Sequence, residues 1–232
     1  MPINTILITG HSGAGKGCVA KILSDEIKKL HSEHQNPVQI ISFADPVKEI
    51  ACKMLNNSYP LPNNELWSVE NMYDLEYKER EHPEYQFNGK NLRVRDVLIF
   101  IGMEMRSHKD NVWAEIASEK IKKLLEEYEW DFDKAPIYYI FDDNRFLNET
   151  EELYNIGSKH NVVANFMGIR VSRPENEIKQ EGNSESEISQ IEKIYGYTRI
   201  INDGSQDDLN VKISKFFDSN IKTPNIDVDN NM

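Results

Sequence analysis

Apolar residues recur along this chain in two alternating rhythms, and their order predicts a fold. Thr5-Ile6-Leu7-Ile8-Thr9 is a short, partly β-branched apolar run that Gly10 ends, the pattern of a buried strand. After Gly15-Lys16 the spacing changes. Val19, Ile22, Leu23, Ile27 and Leu30 recur at helical intervals, with Lys21, Asp25, Lys28 and Lys29 filling the other face. A polar break from His31 to Pro37 leads to a second apolar run, Val38-Gln39-Ile40-Ile41-Ser42-Phe43-Ala44. Asp45-Pro46 then predicts a helix start, with Asp45 as N-cap and Pro46 at the first helical position. Strand, helix, strand, helix is the opening of an α/β fold on a parallel sheet.

From Asn56 to Asn91 the rhythm fails. Pro60, Pro62 and Pro83 among scattered charges predict an irregular insertion with one helix around Val69 to Arg80. Periodicity returns in two helices, Val94 to Arg106 and Val112 to Tyr128. Pro136 to Phe141 is a third strand, ended by Asp142-Asp143-Asn144-Arg145, and Glu149 to Ile156 is a short helix closed by Gly157 as C-cap. Asn165 to Val171 and Thr198 to Ile201 complete the strands, separated by a charged stretch, Arg173 to Tyr195, that is mobile or helical. A helix from Asp207 to Phe217 and a loose polar tail from Asp218 close the chain. The length favours one domain, 1–218, with the tail at 219–232.

Charge narrows the partners. Acidic residues number 39 against 27 basic, a formal net charge of -12, which repels a polyanion over most of the surface. No run approaches the roughly 20 apolar residues of a membrane span, and the N-terminus has no charged region before its apolar run. Cys18 and Cys52 form no disulfide framework. The expectation is a cytoplasmic chain that works on neither nucleic-acid polymers nor membranes.

Chemistry concentrates where the glycines do. Gly10-His11-Ser12-Gly13-Ala14-Gly15-Lys16 has the G-x-x-x-x-G-K spacing of a phosphate-binding loop between a strand and a helix. Its glycines let successive backbone N–H groups turn toward a phosphate, the helix that follows points its positive end there, and the lysine reaches the terminal phosphates. The plainer reading is a glycine-rich turn. Gly17 stands where a serine or threonine hydroxyl would meet Mg²⁺. The metal must then be held by nucleotide oxygens, waters and an acid from elsewhere, or the site binds nucleotide and catalyses poorly. Asp142 to Arg145, at a strand end, supply carboxylates for a metal and a guanidinium for a phosphate; a polar turn capping the next helix is the alternative. Arg93, Arg95, Arg106, Arg170 and Arg173 gather near predicted strand ends and the loops after them, where a planar fork suits phosphate. Trp67, Trp113 and Trp130 are base-stacking or core residues. The six histidines show neither metal-ligand spacing nor a triad partner.

Taken together these segments resemble the bacteriophage deoxynucleoside monophosphate (dNMP) kinases. The loop is the first patch, although that family commonly has aspartate where Gly17 stands. Phe43-Ala44-Asp45-Pro46-Val47-Lys48 is similar to the family's second-strand motif. Arg95 to Glu104 resembles its Arg-x-hydrophobic-Leu-Gln-x-hydrophobic-Gly-Thr-Glu segment, with Ile99 and Met103 replacing Gln and Thr; Arg106 and Asn111-Val112-Trp113 follow. Asp143-Asn144-Arg145 matches a strand-end D-x-R, Val171-Ser172-Arg173-Pro174 the lid opening, and Asn202-Asp203-Gly204-Ser205 a turn that approaches the adenine of ATP. The family's later His-x-Ser-Glu survives only as Ser186-Glu187.

The resemblance implies a three-layer P-loop kinase fold, a central parallel sheet of about five strands with helices on both faces. To these it adds an acceptor-covering insertion (about 56–92) and a lid (about 173–195). It implies transfer of the ATP γ-phosphoryl group to a dNMP with Mg²⁺, and leaves a homodimer open. Gly10, His11, Ser12, Gly13, Ala14, Gly15, Lys16, Gly17 and Cys18 would hold the donor phosphates, and Asn202, Asp203 and Gly204 the adenine. Lys16, Asp143, Arg145 and Arg173 would be catalytic, with Asp143 reaching the metal through water or orienting the acceptor. Asp45, Lys48, Lys78, Arg80, Arg95, Glu104, Arg106 and Trp113 would bind the acceptor. A kinase for another small phosphorylated acceptor, of the phosphomevalonate or dephospho-coenzyme A type, and a nucleotide-binding module with little kinase activity remain the alternatives.

Overall fold

The first apolar run becomes the middle strand of the sheet. β1 (Ile3–Thr9) lies between β5 (Tyr138–Asn144) and β6 (Ala164–Ser172), with β2 (Val38–Ile41) outside β5 and β7 (Thr198–Ile201) outside β6. Every pairing is parallel. A parallel sheet is covered on both faces, which is why β1 is a continuous apolar run rather than an alternation. The computed structural model describes residues 3–59, 61, 65–87, 89–127, 138–160, 163–174 and 183–222. The chain divides into two compact units, Met1–Ser42 with Ser118–Met232, and Phe43–Ala117.

The sheet belongs to the first unit. Ile6, Ile8, Ile140, Ile169 and Val171 pack with Val19, Leu23 and Ile27 of α1 (Lys16–Leu30) and with Leu209, Ile213 and Phe216 of the last α-helix, Gln206–Phe217. Alternation turns Thr5, Leu7 and Thr9 of β1 the other way. Two helices of the same unit, Leu147–Tyr154 and Asn183–Tyr195, touch one another, and the second lies against β6. Here Gly168 has its own reason: a Cβ there would stand 2.1 Å from the ring of Tyr197. Tyr197, Thr150 and Asn144 join through hydrogen bonds of 3.1–3.3 Å, and burial pushes the Tyr197 phenol far up. An α/β fold with a five-stranded parallel sheet flanked by helices is thus present.

The second unit holds α2 (Asp45–Ser58), a 3₁₀ turn (Asn71–Tyr73), α3 (Leu75–Lys78), β3 (Glu81–Phe87), β4 (Lys90–Arg93) and α4 (Val94–His108). α5 (Val112–Glu127) begins in it and ends in the first unit; α6 is Leu147–Tyr154, α7 Ile156–His160, α8 Asn183–Tyr195 and α9 Gln206–Phe217. This unit has its own core: Val47, Ala51, Leu55, Leu61, Trp67, Met72, Val94, Ile101 and Trp113.

Several sequence expectations change. Asp45 does not cap α2. Ala44 is the N-cap, without a side-chain bond, and the Asp45 carboxylate turns to Lys48 and Tyr73. No single helix spans Val69 to Arg80; Asp74 interrupts it with extended backbone and caps α3 through the Glu76 N–H. The insertion also contains the antiparallel β3–β4 pair, which irregular composition hid. Gly157 lies inside α7 rather than ending α6, where Asn155 is the C-cap. From Asn183 the charged stretch is helix, anchored by buried Ile188 and Ile191. Asp218–Lys222 continues the last helix as a π turn that buries Ile221. The expected strand start at 136–137, Tyr128, Trp130, the middle of the expected lid (175–182) and the tail beyond 222 lie outside the described residues.

Candidate functional site

Three strand ends of the parallel sheet bring the expected donor residues together in the first unit. β1 delivers the glycine loop, β5 the Asp142–Arg145 turn and β6 Arg173, while the chain leaving β7 delivers Asn202. Ligands in open α/β sheets sit beyond this carboxyl edge.

The loop needs its glycines at particular places. Gly10 has φ +148°, and a Cβ there would stand 2.2 Å from the carbonyl oxygen of Val171 on the neighbouring strand. Gly15, at φ +99°, is the left-handed N-cap of α1, and a Cβ there would stand 2.5 Å from Nδ2 of Asn202. The side chain that forbids it also fastens the loop: Asn202 Nδ2 donates to the Ala14 carbonyl at 2.9 Å, while the Asn202 N–H donates to Ser172 at 2.7 Å. The Lys16 ammonium is half-buried and donates to the carbonyls of Gly10 (2.7 Å) and His11 (3.0 Å), so it is folded across its own loop. Ser12, Gly13, Gly17 and Cys18 are exposed, and His11 and Ala14 are buried beneath them. Asp203 accepts from Lys212 at 2.6 Å, which holds its carboxyl below the ordinary range, and Gly204 packs against Asp208 ahead of α9.

The two adjacent carboxylates at the end of β5 do different things. Asp143 Oδ2 accepts from the Ser42 hydroxyl at 2.5 Å. Asp142 Oδ2 lies 3.9 Å from where a Cβ on Gly17 would stand. The expectation put Asp143 at the metal; by position, the carboxylate beside the residue-17 vacancy of donors is Asp142. Strand parity was the available signal, since Ile140 packs toward α1 and Asp142 follows it by two. Among the described residues no group of three or more His, Cys, Asp or Glu could hold a metal alone. Magnesium usually keeps waters and substrate phosphates around one or two carboxylates, so a single oxygen-donor side chain beside the loop fits it.

Arg145 and Arg173 are exposed at the ends of β5 and β6. The Arg145 turn is held by Glu149, a buried carboxylate that accepts from the N–H groups of Arg145 (2.8 Å) and Phe146 (3.1 Å). Glu187 of α8 accepts from the Leu147 N–H at 2.7 Å. Sequence reading missed Glu149 and the loop-fastening role of Asn202, which act on backbone groups rather than through a motif, and Ser42, whose hydroxyl meets a carboxylate 101 residues away.

The expected acceptor residues are in the second unit. Lys48 is buried, bonded to Asp45 at 3.1 Å, with its ammonium 3.5 Å from the centre of the Tyr73 ring; the Tyr73 hydroxyl donates to Asp45 at 2.5 Å. Arg95 Nε donates to Glu79 at 2.5 Å, and Glu79 also accepts from Arg93 at 2.8 Å. The Arg95 bond, foremost, keeps the Glu79 carboxyl below its ordinary value. Arg80 stacks on Tyr77, Lys78 is half-buried at the end of α3, Glu104 is exposed beside His108, and Arg106 donates to the Asp110 carbonyl at 3.0 Å. Trp113 corrects the expectation. It is 2% exposed, and its indole N–H is used by the Gly102 carbonyl at 3.0 Å, so it serves this unit's core rather than a ligand. Trp67, similarly, is buried and donates to the Tyr59 carbonyl at 2.6 Å.

Among the described residues no helix is long and apolar enough to cross a membrane. The profile of the Rad17 P-loop domain family matches residues 2–129. No curated protein matches the chain. Among solved structures, the tunicamycin resistance protein of Deinococcus radiodurans aligns over 92% of this chain and 95% of its own, at 10% identity and a TM-score of 0.42.

Proposed function

The chain belongs to the Rad17 P-loop domain family, and on that premise we propose that it is a phosphotransferase, a kinase moving the ATP γ-phosphoryl group to a dNMP to give dNDP and ADP. The observation that carries the donor half is the folded loop itself, with Lys16 drawn across it and Arg145 and Arg173 on neighbouring strand ends. The acceptor class rests on the likeness of the Asp45–Lys48, Arg95–Glu104 and Asp143–Arg145 segments to the dNMP kinases.

In this reading the loop N–H groups and Lys16 hold the donor phosphates, and the Asn202–Gly204 turn borders the adenine. Arg173 neutralises the transferring group and Arg145 grips a phosphate bidentately. Asp143, kept in place by Ser42, orients the acceptor, and Lys48, Lys78, Arg80, Arg95 and Arg106 give the second unit the cations that recognise a monophosphate. Mg²⁺ bound with ATP supplies charge neutralisation and phosphate alignment. Asp142 and the loop's neighbours are oxygen donors suited to it. The acceptor phosphate is already ionised at neutral pH, so no side chain need remove a proton and positioning carries the rate. Gly17 favours a second reading, a nucleotide-binding module with little transfer activity, because it removes a metal ligand that other phosphate-binding loops supply.

An ADP-release assay across the common NMPs and dNMPs, with phosphomevalonate and dephospho-coenzyme A beside them, tests the reading. A dNMP-dependent signal that Lys16→Ala abolishes is the expected result. Turnover of another acceptor with none of the dNMPs refutes the acceptor class, and ADP binding without any turnover favours the module.

A further inference from the structure

The elements that carry Arg145 and Arg173 share one support, α8. Arg145 is presented by the turn between β5 and α6, and Arg173 follows β6. α8 packs against both α6 and β6, seated by the buried Ile188 and Ile191. Two of its carboxylates reach those neighbours. Glu192 takes the guanidinium of Arg170, on the strand that leads to Arg173, at 2.5 Å. Glu187 Oε2 accepts from the Leu147 N–H at 2.7 Å, just beyond Arg145. Leu147 is the first residue of α6, so its N–H is one of the donors that the helix cannot satisfy by itself. A carboxylate suits that positive helix end. Water would satisfy the N–H as well. What Glu187 adds is a fixed position of the turn relative to α8.

We propose that Glu187 is a positioning residue for phosphoryl transfer. By holding the Leu147 N–H it fixes the Arg145 turn against α8, and through α8 against the strand that leads to Arg173. The inference rests on the phosphate-gripping role given to Arg145 above. The two carboxylates at the start of α6 divide the work. Glu149, on α6 itself, accepts from the N–H groups of Arg145 and Phe146 and sets the shape of the turn. Glu187, from another helix, sets where the turn stands. A displacement of about 1 Å at a substrate-positioning group can cost on the order of 10²-fold in rate, so a bond that touches no substrate has leverage over transfer.

Two substitutions cut the same bond from its two ends. Glu187→Ala removes the acceptor. Leu147→Pro removes the donor at a place that tolerates proline: the first position of a helix favours it, and Phe146 before it is extended, at φ −115° and ψ 147°. Each is expected to lower kcat/KM for the dNMP by about tenfold, while ADP binding by calorimetry stays within about twofold of the parent's. The double variant should lose no more than either single one. Glu187→Gln, whose amide oxygen can still accept, should recover most of the loss. In an Arg145→Ala background, Glu187→Ala should change kcat/KM by less than about twofold, because the group it places is gone. A merely structural role would act equally in both backgrounds. Leu147→Pro carries the same comparison should Glu187→Ala fold poorly by circular dichroism. The proposal is overturned if the loss is the same with and without the Arg145 side chain, or if both folded variants turn over like the parent. A parent protein that phosphorylates no acceptor, or an Arg145→Ala variant as active as the parent, removes the reading of Arg145 and this inference together, a result distinct from either of those.

Discussion

Gly15→Ala is expected to damage the donor loop through one identifiable neighbour, Asn202. Residue 15 sits at φ +99°, ψ 21°, where an L side chain is strained by about 1–2 kcal/mol. The added methyl would also stand 2.5 Å from Asn202 Nδ2, which must move and release its 2.9 Å hydrogen bond to the Ala14 carbonyl. Such a bond contributes about 0.5–1.5 kcal/mol net. Gly15→Ala should therefore cost roughly 2–3 kcal/mol and Asn202→Ala roughly 1 kcal/mol. The double variant loses the shared bond only once, so its cost should fall short of the sum by roughly 1 kcal/mol. Urea unfolding followed by far-ultraviolet circular dichroism measures all three. In thermal melts 1 kcal/mol corresponds to about 2–4 °C for a chain of this size. Additivity within about 0.5 kcal/mol would refute the reasoning, since it would mean that the two residues do not share the contact.

Other expectations follow from single environments. Glu192 bridges Arg199 (2.7 and 2.8 Å) and buried Arg170 (2.5 Å), and the Arg199 hydrogen bonds, foremost, hold its carboxyl below the ordinary 4.5. A carboxyl depressed on folding gives stability that is present above its unfolded value and lost as pH falls through the folded one. Glu192→Gln should thus lower the melting temperature at neutral pH and flatten its fall below pH 4.5; an unchanged acid limb would contradict this. Trp113→Ala should cost about 3–5 kcal/mol through the cavity it leaves, whereas Trp113→Phe should keep the acceptor KM where it was. A KM rise in Trp113→Phe with stability intact would return the indole to the binding site. Native protein treated with iodoacetamide should be labelled at exposed Cys18 and spared at Cys52, which is buried with its thiol pushed up by desolvation; equal labelling by mass spectrometry would show that the second unit opens readily.

What could be read in the sequence was whatever depends on period or on the backbone freedom of glycine. β1, α1 and the loop between them follow from Ile6–Ile8, from the recurrence of Val19, Leu23 and Ile27, and from Gly10 and Gly15, whose positions leave no room for a Cβ. The β3–β4 pair was hidden because Pro83 within the run argues against a strand and Tyr85-Gln86-Phe87 gives only a short alternation. Asp45 looked like a cap because its type and the following proline suit one; its carboxylate has stronger partners in Lys48 and Tyr73, a contact that lies 28 residues away in the second case. The different neighbours of Asp142 and Asp143 were hidden for a subtler reason. The β1–β5 register shifts between Leu7 and Thr9, so the cross-strand pairing cannot be extended to the strand end even though parity along β5 holds from Ile140 to Asp142: Leu7 pairs with Phe141 but Thr9 with Asn144. The extra residue lets Asp143 meet Ser42 while Asp142 keeps the side facing α1.

The net charge of -12 and a site for polyphosphate are compatible because they act over different distances. Surface charges are screened beyond about 8–10 Å at physiological salt, so the acidic average is felt by a long polyanion lying across the molecule and hardly at all inside a loop a few residues wide. Within that loop the donors are mostly neutral N–H groups, whose alignment is fixed by covalent geometry and costs no ammonium desolvation. Few cations are then required. Lys16 is kept at hand by the carbonyls of Gly10 and His11, and Arg145 is presented by a turn whose N–H groups are tied to Glu149. The same economy makes the acids at the site consequential. With so few positive groups opposing it, one carboxylate beside the loop is a large fraction of the local charge.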